Sequence, residues 1–180
     1  MIKNWTKWRP AQKRIIPANL ASWLTETGSL TRRLQENDAG DFSVQFMGGH
    51  WLPSLPDETV VLEVAHTELV YQREVRLMLG NTAAVYARTL IPRTTFNAMR
   101  HRFLSLGNQS LGEMLFTDPT VVRGPIAVAC LKPGQWLYEM AVREEKKRPD
   151  KLWARRSSFY LNSKVLLVNE VFLTDLICDS

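Results

Sequence analysis

The chain has 180 residues, of which 45% are apolar and 23% charged, and its formal net charge is +5. These values fit one globular domain over residues 1–180, and they exclude a disordered or fibrous chain. The basic residues are spread in pairs such as Arg32–Arg33 and form no stripe, so we expect no nucleic-acid partner. Cys130 and Cys178 lack zinc or redox spacing, and no apolar run reaches the ~18 residues of a membrane span. We therefore predict a cytoplasmic protein, by default a monomer.

The order of the predicted elements indicates an α+β fold. In chain order they are a peripheral arm at 1–18, helices at 19–25 and 29–36, strands at 42–51 and 59–66, a hairpin of 69–79 and 84–92, helices at 94–106 and 110–116, a strand at 121–130, a surface excursion at 131–150, and a second hairpin of 153–161 and 165–173. Ser29 is the predicted N-cap of the second helix. The sum is an antiparallel sheet with helices packed on one side.

The first hairpin is predicted to bring two arginines together. Closing it on the pair Leu79 and Ala84 places Arg88 opposite Val75. Arg73 then lies diagonally beside Arg88 on the same face. Two such guanidiniums repel unless an anion lies between them, and arginine is well shaped to grip carboxylates. The residues alone leave a second interpretation open, in which both side chains extend into solvent and screening weakens the repulsion.

The second hairpin contains a carboxylate in an apolar strand. Closing this hairpin on Leu161 and Lys164 places Arg155 opposite Glu170. A cross-strand Arg–Glu pair on a solvated face is a common stabilising contact worth about 0.2 to 1 kcal/mol. The strand around Glu170 is apolar enough to lie centrally in the sheet, however, and a carboxylate there requires a partner or a function.

Metalloenzyme and serine-hydrolase functions are not predicted. His50, His66 and His101 have no metal-like spacing, and the chain has no GxSxG motif. We therefore expect no metal site at these histidines.

Four groups of residues carry a resemblance to a known family. They are Trp23-Leu24 with Gly28-Ser29-Leu30-Thr31-Arg32-Arg33; Arg73-Glu74-Val75 with Ala87-Arg88-Thr89-Leu90-Ile91-Pro92; Ser110-Leu111-Gly112-Glu113-Met114-Leu115-Phe116-Thr117; and Trp153-Ala154-Arg155-Arg156-Ser157 with Leu166-Leu167-Val168-Asn169-Glu170-Val171-Phe172-Leu173. In their order and spacing, over about residues 20 to 175, the chain resembles the chorismate pyruvate-lyases. The resemblance implies a single antiparallel sheet of about six strands, with helices packed on it and helical flaps over an internal ligand pocket.

The resemblance also implies roles for particular residues. Arg73 matches the arginine that binds the ring carboxylate, and Glu170 matches the acid at the 4-oxygen end of the ligand. Leu111 matches a backbone contact near the carboxylate, and Leu30 occupies a flap position where the family often has methionine. Ala87 stands where a glycine often precedes the arginine. The last two departures concern the pocket lining and product release more than the chemistry.

The implied activity is conversion of chorismate to 4-hydroxybenzoate and pyruvate for ubiquinone synthesis, without a cofactor. Chorismate carries two carboxylates, so we expect Arg73 to anchor the ring carboxylate and Arg88 to support the enolpyruvyl side. Glu170 could donate a proton to the ether oxygen or accept one from the phenol, and the sequence leaves both open. The alternative is a non-catalytic, sensor-like domain of the same fold that binds an aromatic acid. The sequence shows no helix-turn-helix module, which favours the enzyme.

Overall fold

The computed structural model of the chain describes residues 6–36 and 40–173. Its elements are β1 (Arg9–Pro10), a 3-10 helix (Lys13–Ile15), α1 (Ala18–Leu24), α2 (Leu30–Gln35), β2 (Phe42–Pro53), α3 (Pro56–Leu62), β3 (Leu69–Leu79), β4 (Thr82–Ile91), α4 (Arg93–Ala98), α5 (Arg100–Leu104), α6 (Leu111–Thr117), β5 (Val121–Arg123), β6 (Ala127–Leu131), α7 (Trp136–Val142), β7 (Leu152–Leu161) and β8 (Lys164–Phe172). The α+β prediction is confirmed. Part of the predicted arm, residues 1–5, lies outside the described residues.

The strands form one antiparallel sheet in the order β1-β6-β7-β8-β4-β3-β2, with β5 also paired to β7. The described residues contain eight strands, so the prediction of about six is wrong. One additional strand, β1, lies in the segment predicted to be a peripheral arm. The other arises because Gly124 and Pro125 interrupt the strand predicted at 121–130, and a proline cannot donate to the sheet.

The strand predicted at 59–66 is wrong, because helix α3 occupies the first half of this segment and the second half is irregular. Pro56 stands at the start of α3, where its missing N–H costs no hydrogen bond. The Glu58 carboxylate accepts a hydrogen bond from Leu55 N at 2.9 Å and so satisfies an open donor before the helix. These local interactions outweigh the strand preference of the β-branched residues that follow.

Helices cover both faces of the sheet, which corrects the prediction that they pack on one side. Helices α1, α2 and α4–α6 pack through buried apolar side chains on the face that carries Arg73. Helix α3 covers the opposite face through Leu62, and α7 covers it through Leu137 and Tyr138. The segment 131–150, predicted to be a surface excursion, therefore contains a helix that is part of the core.

The register of the first hairpin differs from the predicted one. The turn contains only Gly80 and Asn81, so Leu79 pairs with Thr82, and a bulge between Ala83 and Val85 then shifts the register by one residue. As a result Glu74, and not Val75, lies opposite Arg88, while Arg73 lies opposite Thr89. A one-residue shift exchanges the faces of a strand. The prediction that Arg73 and Arg88 share a face is therefore wrong.

The second hairpin has the predicted register. Leu161 pairs with Lys164, and Arg155 pairs with Glu170. Asn162 and Ser163 both have positive φ, at 48° and 65°, as the two-residue turn of a tight hairpin requires. Because this turn is followed by an uninterrupted ladder, the predicted pairing persists over the whole hairpin.

Candidate functional site

A cavity lies between the sheet and helices α2 and α6. Its lining is mostly apolar, with a few charged and polar side chains, as is typical of small-molecule sites. The lining residues are Leu30, Thr31, Arg73, Val75, Leu77, Ala87, Thr89, Ser110, Leu111, Gly112, Leu115, Phe116, Arg123, Arg155, Phe159, Val168 and Glu170. The cavity thus contains four of the five residues predicted for the site.

Arg73 supplies a buried positive charge on β3, where its side chain is only 3% exposed. Its Nη2 donates to the carbonyl oxygens of Gly107 and Gln109, each at 2.9 Å, in the loop before α6. Burial lowers the pKa of Arg73. Among the described residues no carboxylate forms an ion pair with this guanidinium, so an anionic ligand would find its charge uncompensated.

Glu170 on β8 forms an ion pair with its cross-strand neighbour Arg155, whose Nε lies 2.6 Å from Glu170 Oε2. Arg155 is 1% exposed, and its Nη1 donates at 2.9 Å to the carbonyl oxygens of Trp23 and Glu26. These contacts fix the Arg155 guanidinium, which in turn orients the carboxylate. Strand β4 lies between the strands of Arg73 and Glu170, so their main chains are about 10 Å apart across the sheet.

Arg123 on β5 is a third arginine of the cavity, half-buried beside the Glu170 end. Its Nε donates to Ser157 Oγ at 3.1 Å, and its Cζ lies 5.3 Å from the centre of the Phe159 ring. Burial, followed by the repulsion of Arg155, lowers the pKa of Arg123 to about 10. A group at that pKa remains protonated at neutral pH and contributes a full positive charge.

Helices α2 and α6 meet over the cavity and occupy the place of the predicted flaps. Thr31 Oγ1 on α2 lies 2.5 Å from Oγ of Ser110, the N-cap of α6. Leu30 and Leu111, the first residues of the two helices, are both buried and line the cavity. Gly112 allows this close approach, since a Cβ there would lie 3.1 Å from Thr31 Oγ1.

Arg88, predicted to be a substrate-binding residue, does not line the cavity. It lies on the opposite face of the sheet and is 1% exposed. Its guanidinium forms a buried ion pair with Glu58 of α3 and donates to Gln72 Oε1 through Nε at 3.1 Å and Nη2 at 2.8 Å. It also lies over the ring of Trp136, with Cζ 4.5 Å from the ring centre. Arg88 thus connects α3 and α7 to the sheet.

The charges of the cavity are the guanidiniums of Arg73, Arg123 and Arg155 and the carboxylate of Glu170. This set leaves two positive charges unbalanced, so the cavity is suited to an anion with apolar parts. Residues 6–36 and 40–173 contain no group of three His, Cys, Asp or Glu side chains placed to hold a metal ion. None of the helices in these ranges is long and apolar enough to cross a membrane.

Arg123 is the site residue that the sequence did not indicate. It follows Val121 and Val122 in a strand of three residues, and no local pattern shows where this strand pairs. Arg155 was predicted to pair with Glu170 but was not assigned to the site. Its predicted position beside a carboxylate in an apolar strand could have indicated that Arg155 belongs to the site.

Comparison with known proteins places the chain in a family. The sequence model of the family described as Chorismate lyase matches residues 1–180. Proteins named "Probable chorismate pyruvate-lyase" from Aromatoleum aromaticum and Nitrosomonas europaea are each 38% identical to this chain, the first over 95% of this chain and 92% of its own length, the second over 92% of both.

Among solved structures, the fold is similar to an effector domain and to a ligand-binding domain. The effector domain of PhnF from Mycobacterium smegmatis has a TM-score of 0.57 at 15% identity, over 83% of this chain and 91% of that domain. The ligand-binding domain of a putative GntR-family regulator from Bordetella bronchiseptica has a TM-score of 0.54 at 15% identity, over 77% and 86%. At these identities the likeness concerns the fold alone.

The family is shown by sequence. The family model matches the whole chain, and the named relatives match most of it, so the chain belongs to the chorismate lyase family.

Proposed function

We propose that this chain is a chorismate pyruvate-lyase, which converts chorismate to 4-hydroxybenzoate and pyruvate in ubiquinone biosynthesis. One observation carries the proposal: a buried arginine with no carboxylate partner among the described residues and an ion-paired glutamate lie at two ends of one cavity with apolar walls. An aromatic ring with a carboxylate at one end and an oxygen at the other has the matching chemistry.

Arg73 anchors the ring carboxylate in this proposal. Its guanidinium is buried, is held by the carbonyl oxygens of Gly107 and Gln109, and has no carboxylate partner among the described residues. A charge-assisted hydrogen bond to a ligand carboxylate compensates a buried charge well. Leu111, at the start of α6, borders this end of the cavity, and Leu30 closes the cavity from α2.

Glu170 meets the 4-oxygen end of the ring. Arg155 Nε donates to Glu170 Oε2. The other carboxylate oxygen, Oε1, accepts no hydrogen bond from any described residue and is therefore available to a ligand. As the partner of a guanidinium, Glu170 is suited to accept a hydrogen bond from the 4-hydroxyl group. Of the two roles that the sequence left open, we propose that of acceptor, since a 4-hydroxyl group at Oε1 would donate its hydrogen there.

The reaction is an elimination within one molecule. The bond between the ring and the ether oxygen breaks, and the adjacent ring carbon that bears the hydroxyl loses its proton. The ring becomes aromatic, and the released enolpyruvate takes up a proton to give pyruvate. This balance requires no oxidant or reductant, so we propose that the enzyme uses no cofactor. The protein holds the reactive conformer and stabilises charge on the leaving oxygen.

The alternative is a non-catalytic domain that binds an aromatic acid. Its support is the fold likeness to the ligand-binding domain of the GntR-family regulator. Such a domain would use the same cavity and the same Arg73 anchor but would release no product. The family match over residues 1–180 favours the enzyme.

The deciding experiment incubates purified protein with chorismate. We expect equal amounts of 4-hydroxybenzoate, measured by chromatography, and pyruvate, measured by coupled reduction to lactate. A protein-free incubation corrects for spontaneous breakdown of chorismate. Tight binding of 4-hydroxybenzoate without formation of pyruvate would identify the non-catalytic domain instead.

A further inference from the structure

Arg123 is held in a fixed position at the Glu170 end of the cavity. Its Nη1 donates to the carbonyl oxygens of Glu26 at 3.0 Å, Thr27 at 2.9 Å and Gly28 at 3.4 Å, in the loop between α1 and α2. Its Nε donates to Ser157 Oγ. A guanidinium held at two of its nitrogens loses little further conformational entropy on binding a ligand.

The remaining nitrogen of this guanidinium is unused. Arg123 Nη2 donates no hydrogen bond to any residue in the ranges 6–36 and 40–173, and none of their carboxylates forms an ion pair with Arg123. The nearby Glu26 carboxylate contacts Arg33 at 3.5 Å and accepts from Gly28 N at 2.7 Å instead. Glu170 is already paired with Arg155. In the cavity wall, the described residues that hydrogen-bond directly to Arg123 are thus all neutral groups.

The charges of the cavity favour a ligand that carries two anionic groups. Arg155 and Glu170 neutralise each other, which leaves Arg73 and Arg123 as two separate positive charges. Arg73 lies on β3, whereas β5 pairs with β7 on the far side of β4 and β8, so four strand spacings, about 19 Å, separate their main chains. A dianion with two separated carboxylates matches this arrangement better than a monoanion does.

We propose that Arg123 binds the enolpyruvyl carboxylate of chorismate and so distinguishes the substrate from its product. The assignment rests on the proposed lyase function, and it gives Arg123 the place that the sequence assigned to Arg88. Chorismate would satisfy both arginines, whereas 4-hydroxybenzoate has one carboxylate and satisfies Arg73 alone. Arg123 also stays with the leaving group during cleavage and helps to stabilise the charge that develops on it.

The test compares two ligands on wild-type protein and on Arg123→Gln. Titration calorimetry is carried out with 4-hydroxybenzoate and with 3-(carboxymethoxy)-4-hydroxybenzoate, a stable aromatic acid with a second carboxylate on an ether arm. We expect Arg123→Gln to weaken binding of the dicarboxylate about 30-fold or more, since the second carboxylate of the ligand loses its charged partner in the cavity. Binding of 4-hydroxybenzoate should change about threefold or less. For chorismate turnover, kcat/KM should fall by a similar factor to the dicarboxylate affinity.

Two further variants separate recognition from a structural role. Arg123→Lys keeps the charge, so it should retain more dicarboxylate affinity than Arg123→Gln. Arg102→Gln removes an arginine that pairs with Asp118 outside the cavity, and it should leave the affinity for both ligands unchanged. Equal weakening of both ligands in Arg123→Gln would mean that Arg123 only holds the 26–28 loop, and unchanged binding of the dicarboxylate would also overturn the proposal.

Failure of this proposal and failure of the lyase function give different results. If wild-type protein forms no pyruvate from chorismate, the lyase function is wrong, and the binding comparison still reports whether Arg123 recognises a second carboxylate. If wild-type protein forms pyruvate but binds both ligands equally, the lyase function stands and the role of Arg123 is wrong.

Discussion

Arg155 Nε lies 2.6 Å from Glu170 Oε2, and the same guanidinium donates to the carbonyl oxygens of Trp23 and Glu26. The proposed reactive carboxylate is therefore connected through one buried arginine to the end of α1 and the loop that leads to α2. Helix α2 covers the cavity. Arg155 therefore both positions the Glu170 carboxylate and holds the chain segment that leads to this helix.

Replacing Glu170 by Gln tests the proposed role of its carboxylate. The amide keeps the size of the side chain but cannot neutralise Arg155 or accept a proton, so we expect kcat to fall about 100-fold or more. Steady-state turnover of chorismate gives this value, and circular dichroism shows whether the fold is kept. Nearly wild-type turnover would contradict a catalytic role for Glu170.

Replacing Arg73 by Ala tests the proposed carboxylate anchor. A buried positive charge is lost opposite a ligand carboxylate, so the dissociation constant of 4-hydroxybenzoate should rise about 30-fold or more. Titration calorimetry measures it, with Arg102→Ala as the matched control on the surface. Wild-type affinity in Arg73→Ala would show that the ring carboxylate binds elsewhere.

Glu58 and Arg88 should matter for stability and not for ligand binding. Glu58→Gln leaves the Arg88 guanidinium buried without its carboxylate, which should lower the free energy of unfolding by about 3–5 kcal/mol. The combined change Glu58→Leu and Arg88→Met should cost less than this, because no unpaired charge remains.

Urea denaturation measures these differences in the free energy of unfolding. The folded fraction of each of these variants should bind 4-hydroxybenzoate with wild-type affinity in calorimetry, since Arg88 lies on the face opposite the cavity. A loss of affinity in Arg88→Met as large as that in Arg73→Ala would restore Arg88 to the site.

Thr31→Val should speed the release of product. The change removes the hydrogen bond between α2 and the N-cap Ser110 while keeping the shape of the side chain. A net loss of about 1 kcal/mol in the closed state corresponds to dissociation about fivefold faster. Stopped-flow displacement of 4-hydroxybenzoate measures the rate. Thr117→Val is the control: within the described part of the chain the Thr117 hydroxyl donates only to carbonyl oxygens of α6, so this change should leave the rate unchanged.

Asp118 should make stability depend on pH in acid. Hydrogen bonds from Thr120 and Arg102 hold the pKa of Asp118 at about 2, below its usual 3.8. Because the folded-state pKa is depressed, this stabilisation is fully present above about pH 4 and is lost as the pH falls toward 2. The melting temperature of Asp118→Asn should lie below that of wild type at pH 7, with a difference that shrinks toward pH 2. A constant difference would exclude this linkage.

The sequence alone determined the features that depend on local chemistry. Ser29 caps α2 as predicted, its Oγ accepting from Arg32 N at 3.2 Å. The pairing of Arg155 with Glu170 followed from a two-residue turn and an unbroken ladder. Such features depend on neighbours along the chain, and they can be read without knowledge of the rest of the fold.

Only the tertiary structure decided which of the arginines line the cavity. A bulge of one residue moved Arg88 to the other face, where Glu58 of α3 neutralises it. Arg123 entered the cavity because β5 pairs with β7, and the loop at 26–28 holds its side chain from nearly 100 residues away in the sequence. Neither the position of a bulge nor the partner of a three-residue strand is fixed locally, since both depend on which distant surfaces become buried together.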